Sequence, residues 1–136
     1  MSTPRSLTER AFRRGDVPAV RLFTRAFGAR AAIAPGRMSD FVLAVSEATA
    51  CATARGSRAA RVRLWMSGQR AYCEVRGGGL LPRRPSGDHP ARPAKLGQPY
   101  GEEEAMRHWV LKQLADYVSV ASAPDGVCVL LSMTVA

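Results

Sequence analysis

The sequence predicts an α+β fold in which three helices cover one face of a mostly antiparallel sheet, as in a two-layer α/β sandwich. Apolar residues recur every three or four positions in three segments, which is typical of amphipathic helices. Alternating or continuous apolar residues in five other segments are typical of strands. The predicted order is strand, helix, helix, strand, strand, long loop, helix, strand, strand, which gives one layer of each kind.

The second helix, predicted over Met38 to Gly56, is the best marked element. Ser39 or Asp40 can cap its start, and Gly56 can adopt the left-handed conformation that ends a helix. Glu47 is the single carboxylate between Phe41 and Gly56, and it lies beside the apolar stripe of the helix. It is therefore either a site residue or one half of an ion pair with an arginine.

The remaining helices and strands are predicted from the same two patterns, recurrence every three or four residues and alternation. Leu7 to Phe12 predicts a short edge strand, and Asp16 and Pro18 mark the start of a first helix that ends at Gly28. Pro35 and Gly36 predict a turn before the second helix. The other elements are a hairpin over 61–66 and 70–76, a helix over 102–117 and a hairpin over 118–121 and 127–135. The segment of about 77–101 is dense in Gly and Pro, and its length is typical of a lid or binding loop.

Length and composition predict one soluble domain of 136 residues. No apolar run is long enough to span a membrane, and the first residues contain no apolar leader, so we expect a cytoplasmic protein. Cys51, Cys73 and Cys128 are far apart and lie in apolar patterns. We expect three buried thiols, without a disulfide or a metal site.

The net charge of +9 is compatible with nucleic-acid binding, but its distribution favours another partner. Residues 1–100 carry 18 basic and 6 acidic side chains, whereas residues 101–136 carry 2 and 5. Nearly all the cations are arginines in a chain rich in Ala and Gly, so part of the charge reflects the codon bias of a GC-rich genome. Trp65 faces away from the core residues of its strand, so it either packs under the first helix or marks an interface. An exposed aromatic residue beside arginines is typical of protein interfaces. We expect an acidic protein partner rather than nucleic acid.

Three motifs occur in this order: Leu-Ala-Val-Ser-Glu over 43–47, Glu-Val-Arg-Gly-Gly-Gly-Leu-Leu-Pro over 74–82 and Leu-Lys-Gln-Leu-Ala-Asp over 111–116. With the predicted order of elements, they resemble the GHKL ATPase fold shared by gyrase B and histidine kinases, over about residues 16–135. The chain looks closest to the small anti-sigma-factor serine kinases. That resemblance implies a helix whose Glu orients or deprotonates the attacking hydroxyl and whose Asn, four residues later, binds Mg²⁺. It also implies an adenine-binding Asp followed by glycines, and a Gly-rich turn that holds phosphates at a helix start.

This chain keeps some of these family positions and changes others. Glu47 matches the family's catalytic Glu, but Cys51 stands in place of the Asn and Gly77 in place of the Asp. Gly79 retains the glycine that follows. Gly101 precedes three glutamates, whose charge opposes a triphosphate at that helix start. The resemblance therefore implies an ATP site at Glu47, Cys51, Gly77, Gly79 and Gly101 that is degenerate, without metal or cofactor.

The leading hypothesis is a regulatory protein that resembles anti-sigma factors and acts by protein–protein binding in transcriptional control. Its partner would be a sigma factor, an anti-sigma antagonist or a DNA-binding regulator, and the resemblance also implies a homodimer. The first alternative is an active Mg-ATP-dependent protein serine kinase with Glu47 as base. The second alternative is a basic nucleic-acid-binding protein, whose binding would depend steeply on salt.

Overall fold

The structure, a computed structural model, describes residues 5–53, 57–77, 92–93, 102–123 and 126–135. Three helices and six strands form an α+β fold, which confirms the predicted fold class and is compatible with a two-layer sandwich. In chain order the elements are β1 (Arg5–Arg13), α1 (Val17–Arg30), α2 (Pro35–Ala52), β2 (Ala59–Ser67), β3 (Arg70–Gly77), β4 (Arg92–Pro93), α3 (Glu102–Leu114), β5 (Tyr117–Ala123) and β6 (Gly126–Thr134).

The strands are arranged in the order β1-β2-β3-β6-β5-β4, and each recorded pair is antiparallel. The two-residue strand β4 lies within the segment predicted as a loop and was not predicted. Except for β4 and Gly77, the predicted loop lies outside the described residues. None of the described helices is long and apolar enough to cross a membrane.

The core lies between the helices and one face of the sheet. Alternate residues of the central strands β2, β3 and β6 are buried against it, as the period of two predicts. α2 is the central helix, because it contacts both α1 and α3 as well as β2, β3 and β6. Phe27 of α1 and Phe41 of α2 are fully buried, with ring centroids 6.0 Å apart.

The start of α1 is as predicted. The Ala19 N–H donates to Asp16 Oδ1 at 3.4 Å, and Pro18 lies in the first turn. The helix runs two residues beyond Gly28, its predicted end. Gly28 is instead a contact residue, since a Cβ at this position would overlap the thioether of Met38 in α2. The missing side chain thus lets the two helices pack closely.

α2 begins about one turn earlier than predicted. Its N-cap is Ala34, which makes no side-chain capping bond, so Ser39 and Asp40 lie inside the helix rather than capping it. Pro35 and Gly36 form the first turn of α2 rather than a turn before it. Proline suits this position because its φ is already helical and its missing N–H would have no intrahelical acceptor.

The end of α2 falls at Ala52, and the predicted end at Gly56 lies outside the described residues. Thr53 follows as the C-cap. Its backbone N–H and its hydroxyl both donate to the Thr49 carbonyl, at 3.0 and 2.9 Å. The Thr53 hydroxyl also donates to the Ala50 carbonyl at 3.3 Å, so this side chain bonds two carbonyls at the end of α2.

α3 ends at Leu114 rather than at Tyr117, because Asp116 attaches the chain to β6 at this point. The Asp116 N–H donates to the Ser132 carbonyl at 2.9 Å, and the Thr134 N–H donates to Asp116 Oδ2 at 2.7 Å. Tyr117 is consequently the first residue of β5. Pairing of this segment with β6 is thus favoured over one more turn of helix. The local apolar pattern cannot predict this, because it depends on a strand that is distant in the sequence.

Asp116→Asn is expected to make the free energy of unfolding less sensitive to acid. The backbone hydrogen bond from Thr134, helped by Arg70 at 3.6 Å, holds the pKa of Asp116 below its ordinary value. The resulting stabilisation is present above the unfolded-state pKa of about 3.9 and is lost as the pH falls through the lower folded-state pKa. Because this carboxylate is exposed, we expect less than about 1 kcal/mol at neutral pH.

Urea unfolding at about pH 7 and about pH 3 measures this contribution, because the two conditions lie on either side of the ordinary carboxylate pKa. The wild type should lose more stability between the two conditions than Asp116→Asn does. Equal losses would contradict the assignment of the hydrogen bond to the ionised carboxylate.

Candidate functional site

The predicted site residues that the structure describes lie on the second half of α2 and at the end of β3. Glu47 and Cys51 are four residues apart on α2 and therefore share one side of the helix. Gly77 is the last residue of β3, and it meets the end of α2 at Ala52. These three positions thus lie along one helix and the strand end that contacts it.

Glu47 forms an ion pair with Arg107 of α3. Its Oε1 is 3.7 Å from Arg107 Nη1, and the two side chains are 26% and 28% exposed. The contact joins α2 and α3, which pack against each other. This geometry agrees with the ion-pair interpretation of Glu47, whereas its role as a base stays a prediction.

Arg107 is the residue of this region that the sequence analysis missed. A lone carboxylate beside an apolar stripe indicates that a cation lies nearby, but the chain contains 20 basic residues from which to choose. Only the packing of α3 against α2 shows that Arg107 is the cation next to Glu47. The next residue, His108, is partly buried, and burial, followed by the charge of Lys112, lowers its pKa.

A double-mutant cycle with Glu47→Gln and Arg107→Met is expected to give a coupling energy of about 0.3–1 kcal/mol. The value is small because the separation of 3.7 Å lies beyond hydrogen-bonding distance and both groups keep contact with water. Urea unfolding of the wild type, both single variants and the double variant measures it. Strict additivity of the two single effects would show that the pair is not energetically linked.

Gly77 lies in the tightest backbone packing among the described glycines. A Cβ at this position would overlap the Ala52 carbonyl oxygen and lie 3.1 Å from Ser57 Oγ. Gly126 faces the same point, with φ of +146°, and a Cβ there would lie 2.6 Å from the Gly77 carbonyl oxygen. Three segments therefore meet at backbone distance: the end of α2, the end of β3 and the start of β6.

This packing determines whether a side chain can be accommodated at position 77. The resemblance to the GHKL fold implies an Asp at this position, and the sequence has Gly77 there. In the structure, any side chain at position 77 requires the end of α2 to move, because the obstructing atoms belong to the backbone. In this packing, position 77 is thus closed to an aspartate side chain.

Cys51 is the described residue that bears most directly on the predicted Mg²⁺ position. Cys51, at the position of the family's Asn, is a half-buried thiol, whereas Mg²⁺ prefers oxygen ligands. Within the described ranges, no group of three or more His, Cys, Asp or Glu side chains could hold a metal ion. Among the described residues of the predicted site, the side chains are thus one thiol and one carboxylate paired with Arg107.

The three cysteines differ in burial. Cys73 is buried in the core, and burial raises the pKa of its thiol. Cys51 and Cys128 are only half-buried, so the prediction of three buried thiols was wrong for these two.

Two predicted site residues, Gly79 and Gly101, lie outside the described residues. α3 begins at Glu102 as predicted, but the side chains of its three glutamates are also outside that part of the chain. No protein-family model matches the sequence, and a search of curated proteins finds no significant match.

Proposed function

We propose that this protein is a regulatory binding protein in transcriptional control, built on a GHKL-like scaffold similar to that of the anti-sigma-factor serine kinases. Its ATP site is degenerate, and it acts by contact with another protein. The observation that carries the proposal is the packing at Gly77, where the Ala52 carbonyl leaves no room for the family's adenine-binding carboxylate. The partner would be a sigma factor, an anti-sigma antagonist or a DNA-binding regulator.

Three features of this chain disfavour Mg-ATP, and each affects a different part of the family's site. Loss of the hydrogen-bond acceptor for adenine costs about 1–3 kcal/mol, which is up to about a hundredfold in affinity. The Cys51 thiol replaces an oxygen ligand of Mg²⁺. Arg107 neutralises Glu47 at 3.7 Å. Since these changes affect adenine, metal and base separately, restoring one of them leaves the other two in place.

The alternative is an active protein serine kinase with Glu47 as general base. A base must be able to approach the substrate hydroxyl, and Glu47 Oε1 lies 3.7 Å from Arg107 Nη1. Kinase activity would therefore require Arg107 to move away from Glu47. This alternative predicts Mg-dependent ATP binding and loss of phosphate transfer in Glu47→Gln.

Thermal unfolding with and without ATP and Mg²⁺ distinguishes these functions, because a ligand that binds the folded state raises the Tm. We expect no nucleotide-dependent shift in the wild type. Cys51→Asn is the matched variant: it restores the metal ligand alone and should also show no shift. An Mg-dependent rise in Tm with wild-type protein would overturn the proposal and lead directly to a phosphate-transfer assay.

The resemblance also implies a homodimer formed through β1 and α1. β1 is at one edge of the sheet, and an edge strand offers backbone groups for pairing with another strand. Sedimentation equilibrium of the full chain would distinguish a dimer from a monomer.

A further inference from the structure

The face of the sheet that points away from the core is not covered by any described helix. Strand pairing aligns its side chains in rows, because directly paired residues project from the same face. One row contains Trp65, Tyr72, Ser132 and Tyr117 in that order, and the next contains Glu9, Arg63 and Glu74. The residues that alternate with them, such as Leu64 and Cys73, are in the core.

The aromatic row is held in a fixed geometry. The Trp65 and Tyr72 rings stack, with centroids 5.4 Å apart and an interplanar angle of 5°. The guanidinium of Arg63 lies 5.9 Å from the Trp65 ring centroid, and Tyr117 is 53% exposed. Trp, Tyr and Arg dominate binding energy at protein interfaces, and rings that are already fixed lose little freedom when a partner binds.

The arginines of this face have more hydrogen-bond donors than its carboxylates use. Arg61 lies 3.0 Å from Glu9, and Arg63 and Arg76 lie 3.3 and 3.6 Å from Glu74. Each guanidinium has five N–H donors, so three arginines exceed what two carboxylates accept. Arg63 Nε is buried and makes no hydrogen bond, and it lies 3.9 Å from Glu9 Oε1, so the accessible donors are the other nitrogens of these arginines. A further carboxylate at this face would therefore find donors and excess positive charge.

We propose that this open sheet face binds an acidic segment of a partner protein. Trp65 and Tyr72 form the apolar anchor, and Arg61, Arg63 and Arg76 contact the carboxylates of that segment. The inference rests on the proposed binding function, for which it names a surface and a partner chemistry. It places partner binding on the opposite side of the sheet from α2 and the degenerate site.

The charges on the same face distinguish this partner from the other candidates. Glu9 and Glu74 flank Arg63 in one row, so a phosphate backbone crossing the strands would meet a carboxylate on either side of that arginine. A second copy of the chain would present the same surplus of arginines and be repelled. A protein segment with spaced Asp or Glu residues matches the arginines individually.

The test uses the full chain and random peptides displayed on phage. Selected peptides are synthesised, and their affinity is measured by fluorescence polarisation for wild type, Trp65→Ser, Arg63→Glu and Leu22→Ser. Leu22 is the matched control, because it is 70% exposed on α1, in the layer on the other side of the sheet. Far-UV circular dichroism and urea unfolding verify that each variant is folded.

We expect the selected peptides to be acidic and to contain an aromatic residue or leucine. Their affinity should fall about tenfold or more in Trp65→Ser and Arg63→Glu, and stay unchanged in Leu22→Ser. Recovery of no peptides, neutral or basic peptides, equal affinity for all four proteins, or displacement of the peptide by single-stranded DNA would each overturn the inference.

Failure of this inference and failure of the proposed function give different results. One distinguishing result is that acidic peptides bind Trp65→Ser as tightly as wild type but bind Arg25→Glu, a variant on α1, more weakly. That result would place the binding surface on the helical side and leave the proposed binding function intact. Binding of Mg-ATP, measured in a separate titration, would refute the degenerate site whatever the peptides do.

Discussion

Gly77→Ala is expected to lower the free energy of unfolding by about 2–3 kcal/mol or more, as overpacking of a rigid site does. The added methyl group would overlap the Ala52 carbonyl, and Ser57 Oγ lies 3.1 Å from the same position. A side chain could rotate away, but the obstructing atoms belong to the end of α2. Relief therefore requires displacement of the central helix or distortion of β3.

Gly36→Ala is the matched control for this substitution. A Cβ at Gly36 meets nothing within 4 Å, and the residue lies in the first turn of α2. Replacing a helical glycine with alanine at an open position should leave stability unchanged or raise it by up to about 1 kcal/mol. Urea unfolding measures both variants. A loss below about 0.5 kcal/mol for Gly77→Ala would contradict the closed packing at this position.

Phe41→Ala is expected to cost about 3–5 kcal/mol, the range for deletion of a buried aromatic side chain. Phe41 is 0% exposed, and its ring lies 6.0 Å from that of Phe27. It connects α1 to the central helix, so the cavity would open where two helices and the sheet meet. Such a loss is a large fraction of the stability of a small domain.

Leu22→Ala is the control for Phe41→Ala. It also shortens an apolar side chain, but Leu22 is 70% exposed, so its stability should change by no more than about 0.5 kcal/mol. Chemical unfolding followed by circular dichroism compares the two variants. Similar losses in both would contradict the placement of Phe41 in the core.

The fold class could be predicted because the two periods of the sequence are clear. The stripe through Val42, Val45 and Thr49 and the alternation of Val62 and Leu64 each correspond to buried faces in the structure. The boundaries that were wrong depend on information outside the local pattern. Pro35 was interpreted as a turn former although it also suits a helix start, and Tyr117 continues a helical stripe that strand pairing interrupts.

The candidate site could be predicted only as a set of residue types along the chain. The unusual carboxylate Glu47 and the unusual Gly77 are both visible in the sequence, but their neighbours are not. Arg107 and the Ala52 carbonyl are 60 and 25 residues away in the chain, and only the packing of α3 and β3 against α2 brings them together. The same packing places the Ala52 carbonyl against Gly77, so a side chain at position 77 would require the backbone to move.

For the open sheet face, too, the sequence predicts the residue types but not their contacts. The sequence predicts that Trp65 faces away from the core beside arginines, which is a composition typical of interfaces. The stacking of Trp65 on Tyr72 and the pairing of Glu9, Arg63 and Glu74 depend on strand register. The two faces of the sheet thus differ in character, with Glu47 and Cys51 of α2 on the helical side and the aromatic and arginine rows on the other.

Calorimetric titration of the full chain with ATP, in the presence and absence of Mg²⁺, tests the central claim most directly. The closed packing at Gly77, the thiol of Cys51 and the ion pair of Glu47 all lead to the same expected result, which is no heat of binding even at millimolar nucleotide. Micromolar, Mg-dependent binding that Glu47→Gln alters would contradict the degenerate site and identify a nucleotide-binding enzyme instead.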